Sequence, residues 1–419
     1  MINHILKTSF IVIAAALVAG IAFGIYRFNS PMPENLSLEP EPSNLVYFKE
    51  TYERCRDQFR LQAEKVTDRF DGVEISHLAV DSGVSLDLTI DYCYIPAQEE
   101  PRRLMILISG IHGVEGYVGS AVQQMVLNEM VQTADLQEMG ILFVHGLNPY
   151  GFKYNRRVTE NNVDLNRNCM ADAAGFQTQN RGYTSLNHWL NQRKPLNLTA
   201  FDHFFFPFYA ARKLLRYKTG AMRQAVLQGQ YQYETGIYFG GKALEPNIEV
   251  FTPLVQRVAA DYEIVLAIDL HTGYGERGTL HLFPAALDSP VERQRIESLF
   301  DGFHIDWADT EDFYTVNGDL LTYLGQVLSP DIYMSMPFEF GTLDTQNTLG
   351  SIKALHNVMV ENQGIHHGYA DKADEIKVKK RFIEGFFPSS PVWRSKAIQD
   401  ARVLMKTTLE RFHAVNAVP

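Results

Sequence analysis

Two short motifs place metal-ligating residue types directly after apolar runs. His112 and Glu115 follow the run "RLMILISG", and His271 follows "IVLAIDL" and precedes a glycine turn. Catalytic zinc usually takes three protein ligands and leaves a fourth position for water. Two ligands from the end of one strand and a third from the end of another would supply that geometry. The pattern therefore indicates a catalytic metal site, although the first pair alone also fits an ordinary polar turn.

Further motifs follow in a fixed order. They are the turn Asn148-Pro149-Tyr150-Gly151, Arg157, the segment Val163-Asp164-Leu165-Asn166-Arg167-Asn168, and Glu339 in "MPFEFGT". Over roughly residues 100–345 this series resembles the zinc carboxypeptidase family. In that family an H-x-x-E motif precedes an N-P-x-G turn, an arginine, a V-D-x-N-R-N segment, a later histidine and a glutamate.

The resemblance implies a ligand set for one zinc ion per chain. His112, Glu115 and His271 take the positions of the zinc ligands. Asp164 takes the position of a carboxylate that accepts a hydrogen bond from His112 and fixes the tautomer of its ring.

The resemblance also implies catalytic and substrate-binding roles. Glu339 takes the position of the general base and Arg157 that of the group that stabilises the oxyanion, with adjacent Arg156 as a substrate-binding alternative. Asn166 and Arg167 take the positions that hold the terminal carboxylate of the substrate, because a guanidinium binds a planar anion through two hydrogen bonds.

Three functions stay open at this point. The first is a carboxypeptidase-type hydrolase that cleaves an amide bond next to a free carboxylate. "DLHTGYG" and "RRVTENNVDLNRN" look closer to bacterial members known only as a zinc-peptidase-like domain of unknown function. "DLHTG" also resembles succinylglutamate desuccinylases and aspartoacylases, which makes an N-acyl amino acid deacylase the second. The third is a binding module that keeps the zinc fold without catalysis. Tyr314, Tyr323 and Tyr333 are candidates for a tyrosine over the substrate.

The elements around these residues predict an α/β fold. Runs that are apolar at every position suit central strands covered by helices on both faces, and helical periodicity lies between them. We expect a three-layer α/β/α sandwich around a mixed, largely parallel sheet, with the zinc site at the carboxyl ends of the strands. Residues 46–419 form the predicted catalytic domain, with an insertion at about residues 170–245.

The amino-terminal residues differ in kind. Residues 9–26 form an uncharged apolar run of a length that can span a bilayer, so residues 1–30 are interpreted as a transmembrane anchor or a cleaved signal segment. Residues 31–45 are rich in proline and acids and are interpreted as a linker. We therefore expect a catalytic domain on the periplasmic side of an inner membrane, anchored through this segment, or secreted to the periplasm if the segment is cleaved.

The net charge limits the kinds of binding partner, and the cysteine spacing limits the roles of the cysteines. The formal net charge is −11, which argues against binding to a phosphate backbone, so nucleic acid is not an expected partner. The expected partner is a peptide or an N-acyl amino acid with a free carboxylate. Cys55, Cys93 and Cys169 match no zinc or redox spacing and are expected to be buried.

Overall fold

A computed structural model describes residues 19–20, 22–84, 87–217, 219–284, 289–307 and 316–415. Within these residues seven strands form one sheet in the order β1-β2-β4-β3-β5-β7-β6. The strands are β1 (Glu74–Ala79), β2 (Thr89–Ile95), β3 (Arg103–Ser109), β4 (Met139–His145), β5 (Ile264–Gly273), β6 (Leu280–Leu282) and β7 (Ile332–Gly341).

The helices of the described residues are numbered in chain order. They are α1 (Pro42–Leu45), α2 (Tyr52–Glu64), α3 (Gly116–Met125), α4 (Pro149–Lys153), α5 (Arg181–Leu190), α6 (Phe201–Phe204), α7 (Phe206–Tyr217), α8 (Thr219–Leu227), α9 (Pro246–Ala259), α10 (Pro290–Leu299), α11 (Leu320–Val327), α12 (Thr348–His367), α13 (Lys372–Phe386) and α14 (Pro391–Phe412). Short 3-10 turns include Gly113–Glu115 and Leu165–Arg167.

The sheet has a helical layer on each face. Successive side chains of a strand point to opposite faces, so Met105 and Leu107 of β3 pack in one cluster with α2, α3 and α14. Leu104 and Ile106 pack on the other face with α9 and α11. Burial on both faces explains why these strands lack the polar alternation of a half-exposed sheet.

Four adjacent strands, β4, β3, β5 and β7, run parallel, and their carboxyl ends lie at one edge of the sheet. β2 and β6 join this group in antiparallel orientation. The predicted three-layer sandwich around a mixed, largely parallel sheet is confirmed.

Cys55, Cys93 and Cys169 are all buried, as expected, and none forms a disulfide. Within the predicted insertion at residues 170–245 lie helices α5 to α8. Helices α5, α7 and α8 form a third apolar cluster together with α12 and α13.

The prediction of an inner-membrane anchor is wrong for the part of the chain that the structure describes. Each helix there is too short or too polar to cross a bilayer, which contradicts the anchored, periplasm-facing arrangement. Residues 9–18 and 21 of the apolar run lie outside the described residues. Residues 22–29 are helical, and Phe28 is buried against Phe206 and His356.

Residues 31–45, predicted as a linker, lie against the domain. Leu36 packs on the main apolar cluster, and Glu34 pairs with Arg277 at 3.5 Å. Asn44 is fully buried and bonds to Ser395 at 3.1 Å. This segment therefore forms part of the surface of the folded body.

Candidate metal centre

The three predicted metal ligands meet at the carboxyl ends of β3 and β5. His112 and Glu115 lie in the turn that follows β3, and His271 lies near the end of β5. One ligand atom from each lies within 4.8 Å of the others, and all three side chains are buried. A His, Glu and His set with this spacing is the donor set of several catalytic zinc sites.

Each histidine of the set is held from behind by its own carboxylate. Nε2 of His112 lies 3.1 Å from Oδ1 of Asp164, and Nε2 of His271 lies 2.8 Å from Oδ2 of Asp269. The contact with Asp164 is a hydrogen bond, whereas the contact with Asp269 is an ion-pair contact in which neither carboxylate oxygen accepts a hydrogen bond. A carboxylate beside Nε2 favours the tautomer that leaves the Nδ1 lone pair for a ligand. Both Nδ1 atoms face Glu115, at 2.9 Å and 3.1 Å.

The set passes a simple test for a metal site. Nδ1 of His112 is buried, and within the described residues it makes no hydrogen bond. It lies 2.9 Å from Oε1 of Glu115, but the angles of this contact are not those of a hydrogen bond. A buried nitrogen in this condition costs free energy unless it has a partner. A divalent cation among the three ligands would supply that partner.

The surrounding charges keep the carboxylates ionised. Burial alone would raise the pKa of Glu115, but the adjacent His112 and His271 outweigh it and hold this pKa below the ordinary value. Burial acts in the same sense on Asp164, and the charges of Arg157 and His112 lower its pKa well below normal. Arg157 donates to both acids, to Glu115 at 3.1 Å and to Asp164 at 3.0 Å.

Close backbone packing positions the turn that carries His112 and Glu115. The N–H groups of Gly113 and Val114 donate to the carbonyl oxygens of Arg157 and Arg156. A Cβ on Gly113 would lie 2.0 Å from the backbone carbon of Gly151. The H-x-x-E turn and the N-P-x-G turn therefore pack backbone to backbone, and glycine fits both places because it has no side chain.

The proposed general base lies beside the ligand set. Glu339 is the register partner of His271 on the neighbouring strand, and its Oε1 accepts a hydrogen bond of 2.8 Å from the N–H of Tyr274. Burial outweighs the opposing charge of His271 and raises the pKa of Glu339 to about 8. Such a shift is common where a carboxyl group exchanges protons during catalysis.

The residues expected to hold a carboxylate line the same cavity as the ligand set. Oδ1 of Asn166 accepts from the N–H of Leu320 at 2.9 Å, which fixes the side chain. Arg167 donates to the carbonyl oxygens of Leu227 and Asn166, at 2.9 Å and 2.7 Å. The cavity has a volume of about 1450 Å³ and also includes Arg157 and Glu339 in its lining.

Residues 48–400 match a family described as DUF2817, a protein of unknown function. The chain belongs to the DUF2817 family. This match confirms the predicted relation to a domain of unknown function. No curated protein matches the chain.

Several solved structures resemble this DUF2817 protein at low identity. Bovine thrombin-activatable fibrinolysis inhibitor, in complex with tick carboxypeptidase inhibitor, is 12% identical, with 81% of this chain and 99% of that chain covered and a TM-score of 0.45. A metallo-carboxypeptidase from Pseudomonas aeruginosa, in complex with (2-guanidinoethylmercapto)succinic acid, is 13% identical over 76% and 69%, with a TM-score of 0.37. An aspartoacylase family protein from Mesorhizobium loti is 14% identical over 72% and 68%, with a TM-score of 0.35. The activities of these proteins are therefore not assigned to the DUF2817 protein from the similarity.

One predicted substrate-binding residue lies away from the cavity. The guanidinium of Arg156 pairs with Glu361 at 2.9 Å, and both side chains are buried. It also donates to Asn162 at 3.3 Å. In the DUF2817 protein Arg157, not Arg156, therefore faces the ligand set.

Two of the three candidate tyrosines for a substrate cover lie outside the lining of the cavity. Tyr314 is outside the described residues, and the hydroxyls of Tyr323 and Tyr333 bond to Thr252 and to the Leu321 carbonyl. Tyr238 lines the cavity instead.

Tyr238 has an unusual backbone and two charged neighbours. Its φ is +56°, which is uncommon for a bulky residue. The guanidinium carbons of Arg157 and Arg167 lie 5.5 Å and 5.8 Å from its ring centre. The sequence signal for this position is the glycine-flanked "GIYFGG" at residues 236–241, which favours an ordinary turn over a pocket lip.

Proposed function

We propose that this DUF2817 protein is a zinc-dependent hydrolase of the carboxypeptidase type, which cleaves an amide bond next to a free carboxylate. The observation that supports this most directly is the buried set of His112, Glu115 and His271, whose ligand atoms lie within 4.8 Å of one another. Both histidines have a carboxylate behind them. This arrangement fits one zinc ion per chain.

A zinc ion held there would act as a Lewis acid, polarising a carbonyl group and making water a stronger acid. Glu339 then takes a proton from the attacking water and delivers it to the leaving nitrogen, so that it acts first as base and then as acid. The carbon–nitrogen bond breaks, and a carboxylic acid and an amine leave. Arg157 supplies a fixed positive charge beside the site where negative charge develops, worth on the order of 3 kcal/mol.

Asn166 and Arg167 would orient the substrate by its free carboxylate. Both line the cavity that contains the ligand set, and a guanidinium favours a planar anion. A substrate held there by its carboxylate would present the adjacent amide bond to Glu339. Peptides and N-acyl amino acids both have this arrangement of groups.

The test uses the purified chain loaded with zinc and two substrate panels, one of peptides and one of N-acyl amino acids. Glu339→Gln should retain stoichiometric zinc and lose turnover at least a hundredfold, because the residue exchanges protons but binds no metal. Glu249→Gln, which changes an exposed acid on α9, should match the wild type in both measurements.

Two outcomes would contradict the proposal, and a third would decide between its two substrate classes. Stoichiometric zinc with no hydrolysis in either panel would favour a binding module without catalysis. Full activity of Glu339→Gln would remove the general base from its assigned role. Release of acyl groups alone, with no peptide cleaved, would favour the N-acyl amino acid deacylase over the peptidase.

A further inference from the structure

The cavity extends from the metal centre into an apolar region that the proposed reaction does not require. We call this region the apolar wing. Its walls consist of apolar side chains from three helices: Ala210 and Leu214 of α7, Met222 and Val226 of α8, and Ile352 and Val358 of α12.

The apolar wing begins where the metal centre ends. Tyr238 and Phe386 belong to the same apolar cluster as the wing. The ring of Tyr238 lies beside Arg157, and the carbonyl oxygen of Phe386 accepts a 2.6 Å hydrogen bond from Thr272, next to His271. A molecule bound at the metal centre therefore has direct access to the wing.

The wing offers little to a peptide backbone. Its walls are helices, whose interior N–H and C=O groups already bond within the helix. The nearby polar side chains also have partners: Ser351 donates to the Thr345 carbonyl at 2.6 Å, and Asn357 donates to that of Arg381 at 3.4 Å. Arg223, which lines the cavity as well, is likewise not free. Peptide groups buried here would lose their hydrogen bonds to water without replacement, which is unfavourable.

The cavity is also larger than one amino acid requires. Its volume of about 1450 Å³ exceeds the range of roughly 300–1,000 Å³ usual for small-molecule sites. One end has groups for a carboxylate and an amide, and the walls of the other end are mainly apolar side chains. The ligand that complements both ends has a charged head and a hydrocarbon chain.

We propose that the apolar wing binds the acyl chain of an N-acyl amino acid with a medium to long chain. This inference rests on the proposed hydrolase function and names its substrate class. The amino acid carboxylate lies at Asn166 and Arg167, and the amide bond lies at the metal centre beside Glu339. Water adds to the acyl carbonyl carbon, the carbon–nitrogen bond breaks, the nitrogen receives the proton, and a free fatty acid and an amino acid leave.

The experiment measures kcat/KM of the zinc-loaded full chain on one amino acid acylated with chains from acetyl to palmitoyl, below the concentrations at which micelles form. Each added methylene should raise kcat/KM by up to about fourfold until the wing is full, since a buried methylene contributes about 0.8 kcal/mol. Peptides with the same carboxyl-terminal residue should be cleaved more slowly than the long-chain substrates.

A substitution in the wing tests whether the dependence of kcat/KM on chain length arises there. Val226→Trp should reduce the ratio of long-chain to acetyl kcat/KM at least tenfold, because the larger ring occupies the space of the chain. Val403→Trp makes the same change at an exposed position of α14 and should leave the ratio unchanged. The wild-type chain-length series stands without either variant if one of them fails to fold.

The outcomes separate this inference from the proposed function. Hydrolysis that does not depend on chain length, or faster cleavage of peptides, overturns the wing assignment and leaves the hydrolase intact. Absence of hydrolysis on every amide overturns the hydrolase and the wing assignment with it.

Discussion

At the scale of single residues, the candidate site is a connected network of buried ionisable groups. His112 and His271 each have a carboxylate at Nε2 and face Glu115 with Nδ1. The sequence resemblance predicted Asp164 as the partner of His112. It gave no role to Asp269, whose place two residues before His271 looks like an ordinary strand position. Only the structure shows that its carboxylate reaches the ring.

Asp269→Asn should lower the zinc affinity about 10- to 100-fold, because an amide in this place cannot raise the basicity of His271 as a carboxylate does. Competition with a chelating dye measures the affinity. Asp135→Asn, at an exposed loop position, serves as the control. Unchanged affinity in Asp269→Asn would mean that the 2.8 Å contact has no influence on the metal.

Tyr238→Ala should raise KM about tenfold with a smaller change in kcat. The ring lies beside two guanidinium groups, and each such contact contributes about 0.5–1 kcal/mol. Without the ring the two arginines lose their fixed positions for the substrate. Tyr238→Phe keeps the ring and should behave like the wild type. If Phe and Ala variants are equally impaired, the hydroxyl and not the ring is the important group.

At the scale of elements, the backbone contact between two turns aligns the site. The H-x-x-E turn after β3 packs on the N-P-x-G turn that begins α4. Both turns hydrogen-bond to the loop that contains Arg156 and Arg157. His112, Glu115 and Arg157, the proposed oxyanion-stabilising group, are thus held by one local assembly. An error of an ångström in this packing would move all of them together.

Gly113→Ala should lower the free energy of unfolding by about 3 kcal/mol, because the new Cβ would lie 2.0 Å from the backbone of Gly151 and overpacking against backbone finds no easy relaxation. Zinc affinity should fall in the same variant. Thermal unfolding and dye competition measure the two effects. Gly24→Ala, where a Cβ has open space, is the control, and a loss of similar size there would contradict the steric cause.

How much of the fold and of the candidate site the sequence predicts depends on how far apart in the chain the contacting residues lie. The apolar runs predicted the central strands, and the carboxyl-end rule placed His112, Glu115 and His271 at one edge. The apolar wing was not predictable, because α8 and α12 are separated by more than a hundred residues and neither sequence alone indicates that its helix lines a cavity. The choice between Arg156 and Arg157 depended on Glu361, an equally distant partner.

At the scale of the whole molecule, negative charge is concentrated where a cation is expected. The chain has a formal net charge of −11. Glu115, Asp164 and Asp269 line the metal centre or lie against its histidines, and Arg157 pairs with only the first two of these acids. Close carboxylates repel one another unless opposite charge intervenes. A divalent ion would therefore stabilise the folded state as well as supply chemistry.

Zinc should raise the melting temperature of the protein in proportion to the logarithm of its free concentration. A ligand that binds only the folded state stabilises it by RT ln(1 + [L]/Kd), or about 4 kcal/mol at a thousandfold excess over Kd. Calorimetry of chelated protein titrated with zinc measures this shift. His271→Ala should flatten the dependence because it removes one of the three ligands, whereas His77→Ala, at an exposed position of β1, should keep it. An equal zinc dependence in His271→Ala would place the stabilising ion somewhere other than among His112, Glu115 and His271.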